Sequence, residues 1–530
     1  MQLKNPILPG FYPDPSVCAV DGHYYLVTST FEFFPGVPVF HSTDFVHWEQ
    51  IGHCLTRPEQ LNLAGVRASQ GIYASTIRYH NGLFYMITTL VQDPSYWGNV
   101  NFFVMAKDPA GPWSDPVVVQ GAQGIDPTIF FDDDGTAYYL GNLRPYPDRP
   151  SSARHLWIQK LDLATGRLLD EPHVLLTDGA VHNAHTPEGP HIYHLNGWYY
   201  LLIAEGGTSH DHAISVFRSR ELFGPYECNP RNPICTHRTM KRPAAIHSVG
   251  HSDLVQLENG EWWAVMLASR PDGGDYRILG RETFAVPVDW EDEWPVYSPE
   301  TGRVEFSFPA PDLPPMKTVP EPACDQFDAP ELGLCWNHLR TPVGRYWTLT
   351  ERPGFLRLYG KKTTVCEQGN PAMVLRRQQH LCADGRTVLE VSLPEGTSAG
   401  MIAWMNENYH LRAELSRVNR ELVLSAVRRF AGSDEVLASV VLPEGCLKGA
   451  SEALPEGTEK VWLALEADYQ YYHWYYATEP GKFRPLALSC DGSHLCREAA
   501  GGFTGTYWGV YCQGEGARAD IDWFEYKGKE

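Results

Sequence analysis

Five times in the first 260 residues, an Asp-Gly or Asn-Gly pair is followed at once by an aromatic-rich run: DGHYYLVTS at 21, NGLFYMITT at 81, DGTAYYLGN at 134, NGWYYLLIA at 196 and NGEWWAVML at 259. Such pairs suit the positive-φ geometry of a tight hairpin turn, so each marks two neighbouring antiparallel strands. The spacings are 60, 53, 62 and 63 residues. That is room for about four strands and their turns, the size of one propeller blade. The recurrence predicts five blades ending near residue 300. With 47 Gly and 41 Pro, long helical periodicity is broken, whereas stretches such as LWIQKLDL and HAISVFRS alternate strictly. The expected class is all-β.

Each turn is preceded by a short β-branched or apolar run, and counting back from the turn gives the residue expected to begin that strand. Asp14 lies seven residues before its turn; Tyr73, Asp126, Glu188 and His251 each lie eight before theirs. If these runs are the innermost strands, the five residues occupy equivalent places around one axis, and three of them are carboxylic acids. Like charges held close cannot all ionise cheaply, so such a trio separates its pKa values. One member stays protonated as a general acid while another acts as a base, which is the equipment for cleaving a glycosidic bond. Taken singly, Asp14 in Pro13-Asp14-Pro15 reads as a turn residue, and Asp126 and Glu188 invite the same reading. Their shared register is what argues otherwise.

The histidines form a second constellation: His182, His185 and His191; His210 and His212; His247 and His251. Their spacings leave metal-assisted hydrolysis as a rival, although no H-E-x-x-H frame accompanies them. His251 stands apart because it shares the axial register, where a neutral imidazole could bind a sugar hydroxyl or hold a central hydrated cation. The net charge of −21 repels nucleic acid and anionic membrane surfaces alike. No run of 18 apolar residues occurs, and the N-terminal stretch has no export-signal pattern, so a cytoplasmic location is expected. The twelve cysteines are scattered without a C-x-x-C pair and are expected as free thiols.

The 530-residue chain is too long for one core. A proline-rich stretch at 309–323 reads as an extended linker. It separates a propeller at 1–308 from a second unit at 324–530, where RTVLEVSL, SAGMIAWM, KVWLALEAD, YYHWYYATE and GTYWGVYCQ suit a β-sandwich. On the closing stretch ADIDWFEYKG, Asp520 and Asp522 could help hold a structural Ca²⁺; solvated positions on an alternating strand are the commoner explanation.

Together NPILPGFYPDPS, GIDPTIFFDDDG, HTPEGPHIY, GHSDLVQLENGEWW and LGRETF resemble glycoside hydrolase family 43, in its β-xylosidase and α-L-arabinofuranosidase group. FDAPELGLCWNHLRTP and GGFTGTYWGVYCQ resemble that group's C-terminal concanavalin-like sandwich. The resemblance implies a five-bladed propeller and an inverting single displacement that needs no cofactor. It assigns Asp14 as general base, Glu188 as general acid and Asp126 as the acid that tunes Glu188 and orients substrate. Arg281 matches an arginine contacting the bound sugar, whose fixed charge would help keep Asp14 ionised. Phe31 matches a wall of the sugar pocket, and Tyr507 an aromatic on a sandwich loop that closes it. Many xylosidases of this type have tryptophan and then Ala-Pro-His where this chain has Tyr73-Ala74-Ser75-Thr76, which leaves the choice between xylose and arabinofuranose open.

The implied activity is exo-acting release of terminal β-D-xylose from short xylooligosaccharides, with α-L-arabinofuranose as a further product. Homo-oligomerisation is implied by the resemblance alone. The rivals are a dedicated α-L-arabinofuranosidase and a carbohydrate-binding propeller without catalysis.

Overall fold

The computed structural model describes residues 1–92, 99–144, 154–181, 185–241, 244–318, 321–442 and 458–529. Among them, the one helix is the single turn Arg497–Ala500, and all other regular structure is strand. The chain divides into two units. One comprises residues 1–61, 70–271 and 281–318; the other comprises 62–69, 272–280 and 319–530.

In the first unit, each aromatic hairpin is the inner half of a separate antiparallel sheet. The innermost strands are Ser16–Val20, Thr76–His80, Thr128–Phe131, Glu188–Leu195 and His247–Gln256. Each packs against the next, and the fifth packs back against the first. This closed ring is the five-bladed propeller. Three of the turns have the tight two-residue form, joining Val20 to His23, His80 to Leu83 and Leu195 to Trp198. Asp21, Asn81 and Asn196 there have φ near +50°, as the recurring dipeptide requires. Turns three and five are longer, with Phe131 opposite Ala137 and Gln256 opposite Trp262.

The ring is also zipped at its ends. Gln2–Lys4 pairs antiparallel with Ser307–Pro309. The Asn5 amide donates to Ala285 O at 2.8 Å and to Glu305 O at 3.0 Å. Tyr24, Leu26, Leu202, Val216, Val265 and Phe284, all fully or nearly buried, contribute to a core shared by the first, fourth and fifth blades.

The second unit contains an eight-stranded and a six-stranded antiparallel sheet. All five alternating stretches noted in the sequence lie largely in these strands. Leu389, Leu463, Leu465, Met401, Leu411 and Trp508 belong to one buried core. The expected Ca²⁺ ligands have other partners. Asp520 is buried, and its oxygens accept from Arg357 Nε at 2.7 Å, a terminal Arg357 nitrogen at 2.9 Å and Arg352 at 2.9 Å. Asp522 lies 3.5 Å from Lys460 Nζ. Guanidinium groups, not solvent, are thus the partners of Asp520.

Candidate active site

The strand-start rule places the site residues at one end of the propeller axis, with differences between blades. Glu188 does begin its strand. Asp14 and Asp126 each sit two residues before theirs, with φ of 54° and 55°. Tyr73 lies three residues before Thr76, and its N–H is bonded to Thr89 O at 3.1 Å. His251 is inside its strand, where the pairing slips between Gly250 and Ser252. Left-handed backbone at two non-glycine residues is costly. Here it turns both aspartates at the point where the chain enters an inner strand.

Asp14 is buried and held from two sides. Arg281 donates to Oδ1 at 2.7 Å, and Ser29 Oγ donates to Oδ2 at 2.6 Å. The chain before Asp14 is laced to the Arg281 strand: Tyr12 N–H bonds Arg281 O at 3.1 Å, and Thr283 Oγ1 bonds Tyr12 O at 2.7 Å. Gly10 N–H donates to Glu282 at 2.8 Å, and Glu282 is itself gripped by Arg270 through two bonds of 2.8 and 3.0 Å. Ser29 and Glu282 carry no sequence signal of their own, because each is an ordinary polar residue at a strand end.

Burial biases both Glu188 and Asp126 toward their neutral forms. Burial pushes the Glu188 carboxyl up to about 7; the Arg154 charge opposes this, the Asp14 charge adds to it and Arg281 opposes it. Burial also drives Asp126 well above the usual carboxylate range, reinforced by Glu188 and Asp14 and opposed by Arg281 and Arg154. The three acids therefore interact electrostatically, as their common register predicts. Arg154 was not legible in the sequence. It is buried immediately before the third-blade strand His155–Asp162, and nothing in the preceding residues marks it as axial.

His251 lies against the acid's own strand. A Cβ on Gly189, whose φ is 57°, would sit 2.9 Å from the His251 ring, and one on Gly250 would sit 2.3 Å from the ring of His212. Glycine at both positions lets the rings pack against backbone. Burial lowers both imidazoles, His212 to about 3, so both rings are neutral near pH 7. His191 is also axial, whereas His210 packs edge-on against His247 at 6.2 Å. His182 lies outside the described residues. Among the described residues, metal-ligand spacing occurs at Asp132, Asp133 and His194, beside the turn end of the blades and away from the trio.

Phe31, at φ 51°, packs on Tyr73 with centroids 4.9 Å apart and on Phe11 at 5.8 Å; the Arg281 guanidinium lies 5.3 Å from the Phe31 ring centre. This aromatic group beside the carboxyls suits the apolar face of a sugar. Phe11 is an addition to the expected set. Tyr507 is a fully buried first residue of a sandwich strand rather than a loop residue, with Arg377 5.4 Å from its ring centre.

A propeller with an axial acid trio, one member poised near neutrality, is built for acid–base cleavage of glycosides. The comparisons agree. Residues 3–295 match glycosyl hydrolases family 43, and residues 324–527 match the beta xylosidase C-terminal concanavalin A-like domain. The chain belongs to glycoside hydrolase family 43. It is 40% identical to a xylosidase/arabinosidase of Butyrivibrio fibrisolvens over 98% of this chain and 97% of that one. It is 38% identical to a non-reducing end alpha-L-arabinofuranosidase of Bacteroides ovatus, over 99% and 94%. Among solved structures, xylan beta-1,4-xylosidase of Bacillus halodurans superimposes with a TM-score of 0.91 at 34% identity, covering 99% and 100% of the two chains.

Proposed function

We propose that this glycosidase removes terminal β-D-xylosyl residues from short xylooligosaccharides by single displacement, and α-L-arabinofuranosyl groups as well. The observation that carries the reading is Glu188, held near pKa 7 by burial among like charges, in a trio whose first member is ion-paired to Arg281. In this reading Asp14 takes a proton from the attacking water while Glu188 protonates the departing glycosidic oxygen. Asp126, itself kept neutral, tunes Glu188 and orients the sugar, and Phe31 with Tyr73 forms the pocket wall. Inversion follows from direct attack by water, with the two working carboxyls roughly 6.5–9.5 Å apart.

The names carried by the relatives support both sugars, and the Bacteroides relative favours a dedicated α-L-arabinofuranosidase as the second reading. A non-catalytic binding propeller has no use for an acid poised at neutrality. The decisive experiment compares hydrolysis of nitrophenyl β-D-xylopyranoside and α-L-arabinofuranoside, with the first-formed anomer followed by proton NMR. Faster xyloside cleavage releasing α-xylose is expected. Arabinofuranoside cleavage alone would select the second reading, and no turnover of either would sink both.

A cytoplasmic setting belongs to the same proposal. The eleven described cysteines are all free thiols, which suits a reducing compartment. Recovery of activity in the soluble cell fraction tests it.

A further inference from the structure

Beyond the residues that carry the carboxyls, the innermost strands of the five blades bring a second set of polar side chains together. Ser16 and Thr128 follow Asp14 and Asp126 by two residues, and Asp253 follows His251 by two. His191 follows Glu188 by three, across a register slip in the pairing. Arg78 enters from the second blade.

These residues are bonded into one belt. Ser16 Oγ donates to Asp253 Oδ2 at 2.6 Å, and Arg78 donates to both Asp253 oxygens at 2.7 and 3.2 Å. Tyr193 donates to Asp253 Oδ1 at 2.5 Å and accepts Leu254 N–H at 2.8 Å. A further Arg78 bond, 2.9 Å long, reaches His191 Nδ1, which lies 3.4 Å from Thr128 Oγ1. Because a guanidinium only donates, His191 Nδ1 accepts, and the ring is the neutral tautomer with its proton on Nε2. Burial, with Arg78 and His251 nearby, lowers that imidazole to about 3. All five blades contribute. Asp253 is fully buried and His191 and Ser16 nearly so.

We propose that this belt is the positioning floor of the active site: it fixes the spacing at which separate blades present Asp14, Asp126 and Glu188, without touching substrate. The carboxyls come from three different sheets, and no continuous strand hydrogen-bonding holds one blade's acid at a set distance from another's. The belt supplies that constraint. Displacing reacting groups by about 1 Å costs on the order of a hundredfold in rate. The belt's closure is therefore expected to appear in kcat.

The inference rests on the glycosidase reading, so the test has one readout that needs no turnover. Tyr193→Phe and Ser16→Ala each remove one hydroxyl and are expected to fold, whereas Asp253→Asn breaks the centre of the belt. For each, kcat and KM on the preferred nitrophenyl glycoside are measured well below the melting temperature, and Glu188 is titrated by carboxyl NMR. The expected result is a fall in kcat of on the order of tenfold or more, little change in KM, and a displaced Glu188 titration. Folded Tyr193→Phe and Ser16→Ala proteins with wild-type kcat and an unmoved titration, losing only thermal stability, would reduce the belt to a structural clasp. An inactive wild type would instead refute the glycosidase reading, and the titration alone would then decide the belt.

Discussion

Asp520, which is buried, and Glu188, which is half-buried, are acids treated in opposite ways. In the sandwich, Asp520 is surrounded by donors: two arginines satisfy both oxygens. At the propeller axis, Glu188 is placed with two more carboxyls, and the nearby arginines only partly offset burial. One arrangement neutralises a charge with its opposite; the other raises the cost of forming one. The first serves folding. The second keeps a proton available, which is what the proposed acid role of Glu188 requires.

The comparison breaks most visibly by mutation. Glu188→Ala and Asp14→Ala are each expected to lower kcat about 10²–10⁴-fold, while circular dichroism shows an intact fold; Asp14→Ala also lowers the melting temperature, because it leaves buried Arg281 without its carboxylate. Turnover at the wild-type rate in either would remove that residue from the mechanism. Asp520→Asn is expected to do the reverse. Breaking a buried ion pair costs about 3–5 kcal/mol, read as a lower urea midpoint, with kcat at low temperature unchanged.

The pH dependence sharpens the contrast. Glu188 must be protonated to act as an acid, so activity should fall as pH rises through about 7. Its raised folded-state pKa also contributes stability that is complete below its ordinary value of 4.5 and is lost as pH rises through about 7. Glu188→Gln should therefore flatten the melting temperature between those limits, and an unchanged slope would show that another group governs it. The smallest effect is expected at the aromatic wall. Phe31→Ala should lower kcat/KM by on the order of ten- to a hundredfold without moving the pH at which activity is lost.

The hairpin dipeptides made the blades legible because a turn that needs positive φ leaves few residue choices. From them the trio could be placed, since strand period transmits position along a short run. Counting failed where strands are bulged: His251 lies in mid-strand because pairing slips twice between His247 and Ser252. The partners were harder still. Glu282 and the belt residues Ser16, Arg78 and Tyr193 matter through neighbours in other blades, and a local pattern carries no trace of contacts across 60 or more residues; Ser29 and Arg154 act over shorter separations, but no pattern ties either to a carboxyl. Asp520 illustrates the converse: alternation on the terminal strand suggested solvent, whereas arginines on Arg352 and Arg357's side of the sheet supplied its environment.

The seam between the first strand and the end of the propeller has a biosynthetic consequence. Asp14 leaves the ribosome 267 residues ahead of Arg281, and Gln2–Lys4 finds its pairing partner only once Ser307–Pro309 has been made. The nascent chain thus carries Asp14 early, but the Arg281 that holds it arrives only with the last blade. On the proposed mechanism, hydrolytic competence is expected only once the ring is complete, and a chain stopped before residue 281 would lack the Asp14–Arg281 pair.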